Sequence, residues 1–275
     1  MQTIHIFLFF AVYVSRPAMA QPISLVSTSP EVTELLFQLG HGTDIVATSD
    51  MSEFPEAAKA LPKLGPLFMP SIERTLRFKP NWVILDESNL SPTYERALQA
   101  TRTPSLKISY SRVEDLFTEA IRLLRTIYAE TTNVPIENAR RCLNSIPRIR
   151  TGTFLIFVWL SPPILAADHT FLSDLVSKSG GKNAAPTSWS APYPQVSEEW
   201  LLQRKIDTVF YFNELPGDTK TATELASHWW PGRPVRLLGL RPQSFARVSF
   251  TPLHHLEELG IAREALGEDC FEPTH

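Results

Sequence analysis

One phrase occurs twice in this chain, and it constrains the fold more tightly than any other feature. Residues 71–85 read Ser-Ile-Glu-Arg-Thr-Leu-Arg-Phe-Lys-Pro-Asn-Trp-Val-Ile-Leu, and residues 197–211 read Ser-Glu-Glu-Trp-Leu-Leu-Gln-Arg-Lys-Ile-Asp-Thr-Val-Phe-Tyr. Without a gap, Ser71 aligns with Ser197, Glu73 with Glu199, Leu76 with Leu202, Lys79 with Lys205 and Val83 with Val209, while Asn81 is matched by Asp207. In the first copy Ser71 is suited to cap a helix, and Glu73 falls in the first turn, where the helix dipole favours a carboxylate. Pro80 ends that helix, because proline lacks the N–H and disfavours helix at the residue before it. Trp82-Val83-Ile84-Leu85 then shows no polar alternation, as expected of a parallel strand covered on both faces. Chance recurrence of a common helix–strand phrase is the bland alternative. Two similar lobes, each presenting one glutamate from a helix start, is the reading adopted.

The rest of the chain repeats the alternation. Strands are expected at 23–26, 44–47, 82–85 and 105–108, with helices at 31–39, 71–79 and 92–100 and a loop and helix over 52–60. Residues 113–128 form a strongly amphipathic helix, with Val113, Leu116, Phe117, Ala120, Ile121, Leu124 and Ile127 at helical spacing. Pro135 opens a further helix that Pro147 ends, and its place between the two copies makes it the natural connector. A second alternation follows: strands at 153–158, 208–212 and 235–238, and helices at 171–179, 197–203, 221–228 and 251–259. Alternating strands and helices imply parallel sheets with helices on both sides. The expected fold class is therefore α/β, with two Rossmann-like lobes joined by a connecting helix and a ligand cleft between them. The divisions are an N-terminal lobe at 21–111, a helical connector at 112–150 and a C-terminal lobe at 151–275. A length of 275 residues accommodates two lobes of ordinary size.

The first twenty residues read as a leader. Residues 6–14 are an apolar run too short to span a bilayer. Ala18-Met19-Ala20 follows, a small-residue pattern suited to signal-peptidase cleavage before Gln21. A retained anchor is the alternative, since the region before the run has no Lys or Arg. Export points to the bacterial periplasm. The two cysteines, Cys142 and Cys270, both survive cleavage, and in an oxidising compartment an even pair favours a disulfide over a metal site. Two separate buried thiols remain the other possibility.

Binding, and not catalysis, is what the residue types suit. There is no Gly-x-Ser-x-Gly elbow, no His-Glu-x-x-His pair and no phosphate or dinucleotide glycine loop. Adjacent His254 and His255 point to different sides of a helix, which suits chelation poorly, so no metal site is expected. The net charge of −3 gives no footprint for nucleic acid. By contrast, Ser29, Pro30, Phe68, Met69, Trp159, Tyr193 and Phe245 lie in loops where strands should end. In open α/β sheets ligands sit outside the carboxyl ends of the strands. Such a lining suits a large, flat or partly apolar chelate held by packing better than a sugar or amino acid.

Two groups of motifs carry a family likeness. Ser29-Pro30 followed by Thr33-Glu34-Leu35, and Ile72-Glu73 with Lys79-Pro80-Asn81-Trp82-Val83-Ile84, belong to the first. Ser179-Gly180-Gly181-Lys182-Asn183 and Pro192-Tyr193-Pro194-Gln195-Val196-Ser197-Glu198-Glu199 belong to the second. Together they resemble the two lobes of helical-backbone (class III) periplasmic substrate-binding proteins of ABC importers. The resemblance implies a monomeric, non-enzymatic carrier with a shallow cleft and little hinge motion. It implies a partner permease dimer with ATPase subunits, whose arginines meet Glu73 and Glu199. It adds Asp86 and Arg247 to the ligand-facing positions, Arg247 for an anionic ligand edge. The implied cargo is cobalamin or a related corrinoid; the alternative is haem or a ferric siderophore, with Tyr193 as the iron ligand in the haem case. A scaffold without a small ligand is the remaining class, expected if side chains fill the cleft.

Overall fold

The local rules that shape each half of the chain act on short segments, and each segment leads into a buried parallel strand. A computed structural model describes residues 22–149, 151–267 and 270; the expected leader at 1–20 lies outside them. The first half runs β1 (Leu25–Ser27), α1 (Pro30–Gln38), β2 (Ile45–Ala47), α2 (Glu56–Lys59), α3 (Ile72–Arg77), β3 (Trp82–Asp86), α4 (Pro92–Ala100) and β4 (Ser105–Ile108). Its strands form one parallel sheet in the order β2-β1-β3-β4. Two helices follow, α5 (Val113–Tyr128) and α6 (Val134–Ser145). The second half runs β5 (Thr153–Trp159), β6 (Ile164–Leu165), α7 (Phe171–Lys178), β7 (Lys182–Asn183), α8 (Glu198–Leu202), β8 (Thr208–Phe212), α9 (Asp218–Trp229), β9 (Arg236–Leu240) and α10 (Pro242–Phe245). Its sheet has the order β6-β5-β8-β9, with β7 also on β5; only the β5–β6 pair is antiparallel.

The repeated phrase builds the same unit twice. Ser71 Oγ accepts from Arg74 N at 3.3 Å, and Ser197 Oγ accepts from Trp200 N at 3.3 Å, so both copies open on a capped helix. Asn81 Oδ1 accepts from Ser24 N at 2.7 Å, just before the neighbouring strand β1. Asp207 Oδ2 accepts from Thr153 N at 2.7 Å, at the start of the neighbouring strand β5. Each polar side chain thus ties down the strand that its own strand will pair with, β3 on β1 and β8 on β5. Gly152 is required by this arrangement: its φ is 66°, and a Cβ there would lie 2.4 Å from Asp207 Oδ2.

Both sheets are covered on both faces. Leu25 and Ile84 face one core, while Val26, Val83 and Leu85 face another with Tyr94 and Leu98. In the second sheet Phe154, Ile156 and Phe210 share the first of these cores, while Leu155, Phe157, Val209 and Tyr211 pack on Trp229 and Trp230. The shared core is therefore continuous from one sheet to the other, through Leu116, Phe117 and Leu124 of α5 and Ile136 and Leu143 of α6. Asp174 of α7 fixes the start of α5 by accepting from Val113 N at 2.9 Å and Arg112 Nη1 at 3.2 Å. Cys142 of α6 and Cys270 are joined in a disulfide.

The loop and helix expected over 52–60 form as a loop leading to a short helix at Glu56–Lys59, with Pro55 at its N-cap position. The two helices expected after β4 both form, and the longer is α5, whose 16 residues span about 24 Å. One expectation changes. The helix expected at 251–259 is two 3₁₀ turns, Thr251–His254 and Leu256–Leu259. Leu253, Leu256 and Leu259 are all buried, and their spacing of three is the 3₁₀ period and not the α period.

Candidate functional site

Parallel strands deliver their loops to one edge, and here those loops carry both aromatic and acidic groups. The turn at 66–71 closes with Met69 N donating to Pro66 O at 3.0 Å and Ser71 N to Leu64 O at 2.8 Å. It leaves Phe68 65% and Met69 77% exposed. Trp159 ends β5 with its indole N–H donating to Ser161 O at 2.8 Å, and about half of it is exposed. The Tyr193 loop lies against β6: Pro192 O accepts from Ala167 N at 2.9 Å and Pro194 O from Leu165 N at 3.0 Å. Prolines offer carbonyls without competing N–H groups, so this segment is held by its acceptors, and Tyr193 stays 55% exposed.

Other expected ligand-facing residues sit elsewhere. Ser29 is wholly buried and caps α1, accepting from Val32 N at 3.2 Å, while Pro30 takes the first helical position. Phe245 is in the shared core. Both are corrections: apolar burial claims the ring, and an orphan helix N–H claims the hydroxyl. Asp86 is buried at the end of β3, accepting from Ser88 N at 2.9 Å, Ser88 Oγ at 2.6 Å and Asn89 Nδ2 at 3.2 Å.

Arg247 is committed to an acid that sequence reasoning did not single out. Its Nε donates to Glu34 Oε2, its Nη2 donates to Gln243 O at 2.9 Å, and its guanidinium lies 5.1 Å from the centre of the Phe54 ring. The Glu34 side chain, 1% exposed, also accepts from Ser249 Oγ at 2.5 Å and from Thr251 Oγ1. Gln38 completes the joint by donating to Thr251 Oγ1 at 2.8 Å and accepting from Phe250 N at 3.0 Å. The joint fastens α1 of the first half to the C-terminal segment of the second.

Glu31 and Tyr110 were also missed. Glu31 follows Pro30 beyond the carboxyl end of β1, and Tyr110 lies two residues beyond β4. Burial raises the Glu31 carboxyl above its ordinary range, and the Asp86 charge adds to the effect against its own N–H, Ser29 and Arg247. Burial also raises the Tyr193 phenol, with Glu31 contributing. Tyr110 is pushed well above the ordinary phenol range by burial, then by the charges of Asp86, Glu119 and Glu31. Glu31 is thus within electrostatic reach of Asp86 and Tyr110 in its own half, and of Arg247 and Tyr193 in the other. The sequence signal was its place just after the first strand, where α/β ligands bind.

Glu73 and Glu199 are exposed at the starts of α3 and α8. The Ser197 hydroxyl and a backbone N–H lower the Glu199 carboxyl. An open depression of about 590 Å³ brings Glu73 together with Asp50, Gly65, Met69, Arg74 and Arg77. A smaller cavity of about 140 Å³ adjoins Trp159, Phe212, Leu215 and Asp218. Among the described residues, His255, Glu257 and Glu258 have metal-like proximity. Arg241 already occupies that group, donating to Glu258 Oε1 at 2.7 Å with its Nη2 3.1 Å from His255 Nδ1.

No family model matches the chain. It is 28% identical over 235 residues to a vitamin B12-binding protein of Yersinia pestis, covering 82% of this chain and 80% of that relative. Its fold matches the periplasmic vitamin B12 binding protein of Vibrio cholerae with a TM-score of 0.70 at 20% identity, over 86% of this chain and 94% of the other. A periplasmic haem binding protein of the same organism gives a TM-score of 0.68 at 19% identity, over 87% and 97%. One from Pseudomonas aeruginosa gives 0.66 at 20% identity, over 90% and 97%. The chain has the two-lobed α/β fold of periplasmic binding proteins.

Proposed function

We propose that this chain is the periplasmic substrate-binding protein of an ABC importer and that it carries cobalamin or a related corrinoid to its permease. The likeness to vitamin B12-binding proteins along 82% of the chain supports this reading above all else. The site chemistry fits it. Phe68, Met69, Trp159 and Tyr193, all exposed, offer apolar surface to a broad, partly apolar ligand, and burial of such surface contributes roughly 25 cal/mol per Å². The continuous core and the Glu34–Arg247 joint hold the two sheets in a fixed relation, so the cleft is formed before the ligand arrives. Glu73 and Glu199, one per lobe, are the docking acids that permease arginines of the importer would engage in charge-assisted bonds. The lobes are assigned to 21–111 and 151–275, with the helical segment 112–150 between them.

Haem is the second reading, and the exposed Tyr193 phenol is what favours it. The corrinoid reading is preferred because the relatives matched along 82% of the chain are vitamin B12-binding proteins. Expressing the whole chain, isolating the periplasmic fraction and recording the visible spectrum of the purified protein tests both. A corrinoid spectrum and an N-terminus at Gln21 are expected. A haem spectrum would transfer the assignment to the second reading, and retention of Met1 on the exported protein would defeat the leader.

A further inference from the structure

The cavity of about 140 Å³ beside Trp159 lies at the carboxyl ends of the paired strands β5 and β8, the edge at which ligands of open α/β sheets sit. Its walls are apolar: Phe157 is wholly buried, Phe212 is half-buried, and Trp159 and Leu215 are 48% and 57% exposed. The two exposed walls leave the cavity open to solvent, so a ligand can enter it. Its volume is below the roughly 300 Å³ that a drug-sized ligand fills, so it suits one projecting arm of a larger ligand and not the ring. The polar end is acidic. Glu214 and Asp218 line it beside Thr221, which carries a hydroxyl, and among the described residues that line it none is Lys, Arg or His. Asp218 Oδ2 accepts from Glu214 N at 2.9 Å and from Leu215 N at 2.6 Å, which fixes the loop that brings both residues to the rim. Helix α9 starts at the same rim, but Asp218 is its first residue and already supplies the acid that a helix start favours. The Trp159 indole N–H is also taken, by Ser161 O at 2.8 Å. The cavity therefore offers apolar wall, acidic acceptors and one hydroxyl.

We infer that this cavity is a side pocket of the ligand site that takes one propionamide-type arm of the corrinoid. The inference rests on the corrinoid reading above and adds to it a place and a selection rule. The methylenes of the arm pack among Trp159, Phe212 and Leu215. Its amide N–H groups donate to the acids at the rim, and its carbonyl accepts from Thr221. A donor that meets a carboxylate makes a charge-assisted bond, the stronger kind. An arm that ends in a carboxylate sets like charge against Glu214 and Asp218 and brings no donor, so it is turned away.

The test is titration calorimetry of the mature chain with cyanocobalamin and with its b-, d- and e-monocarboxylic acids, each of which carries a carboxylate in place of one propionamide. The wild type is compared with Glu214→Lys, which reverses a charge at the rim, and with Thr221→Phe, which fills the cavity from an exposed helix position. Circular dichroism establishes folding, and Glu214→Lys, at an exposed loop position, decides alone if Thr221→Phe does not fold. The wild type should bind one of the acids about tenfold more weakly than cyanocobalamin, the loss of one charge-assisted bond, and the others within about threefold of it. Glu214→Lys should bring the weak acid within about threefold of the parent compound. Thr221→Phe should weaken cyanocobalamin by about tenfold and level the acids with one another. If cyanocobalamin binds but all the acids bind alike in the wild type, the side pocket is refuted while the corrinoid reading stands. A penalty that persists in Glu214→Lys refutes it too. If cyanocobalamin gives no saturable heat, the corrinoid reading fails and the side pocket with it.

Discussion

Replacing Arg247 with methionine should destabilise the protein by about 3 kcal/mol, because it strands a carboxylate in the interior. The magnitude follows from the surroundings of Glu34. Breaking a buried ion pair by removing one partner typically costs about 3–5 kcal/mol. Arg247 keeps 21% of its side chain exposed, and Ser249 and Thr251 still donate to Glu34 after the change, so the low end applies. Methionine retains most of the aliphatic stem, which confines the loss to the guanidinium and its contact with the Phe54 ring. In a chain of this size each kcal/mol moves the melting temperature by about 2–4 °C, so a fall of about 6–12 °C is expected. The core shared by both sheets supports one cooperative transition, which circular dichroism during heating would follow. Glu34→Gln should cost less, since it leaves its charge partner partly open to water. The double variant should be less destabilised than the sum of the singles, by about 1–3 kcal/mol. Strict additivity, or a melting temperature for Arg247→Met within about 2 °C of the wild type, would refute the account of the joint.

Three further outcomes are expected. Reducing the Cys142–Cys270 disulfide, which closes a loop with a sequence separation of 128, should remove about 4–5 kcal/mol on the chain-entropy view; an unchanged melting curve under reductant would contradict this. Glu73→Arg or Glu199→Arg should impair uptake in cells while leaving the ligand affinity of the isolated protein nearly intact, and a large affinity loss would move these residues into the ligand site. Because the folded state raises the Glu31 carboxyl, its proton stabilises the fold in acid, and that contribution is lost as pH rises through the raised value. Glu31→Gln should therefore melt above the wild type at neutral pH and level with it in acid; equal melting at both would show that Glu31 is not strained by burial.

What the sequence disclosed was governed by local rules. The serine caps, the proline stop after the first copy and the unbroken apolar strands each act within a few residues, and the paired units around α3 and α8 follow from them. The apolar stripe of α5 was equally legible, since its period matches the helix. Distant pairings were not. Glu34 and Arg247 are separated by 213 residues, and nothing near either one names its partner. Phe245 and Phe68 are both aromatic residues in loops by sequence, yet one is in the core and the other is largely exposed. The C-terminal segment was misread because leucines three apart fit a loose α pattern until burial fixes the tighter turn. Burial of the Glu31 carboxyl depends on chain distant in sequence, so nothing beside Ser29-Pro30 discloses it.

Titration calorimetry of the mature chain with cyanocobalamin is the measurement that bears most directly on the central claim. One saturable site per chain is predicted, weakened by Tyr193→Ala. No saturable heat with cyanocobalamin, cobinamide, haemin or a ferric siderophore, alongside saturable binding of a simple metal ion or an amino acid, would contradict it.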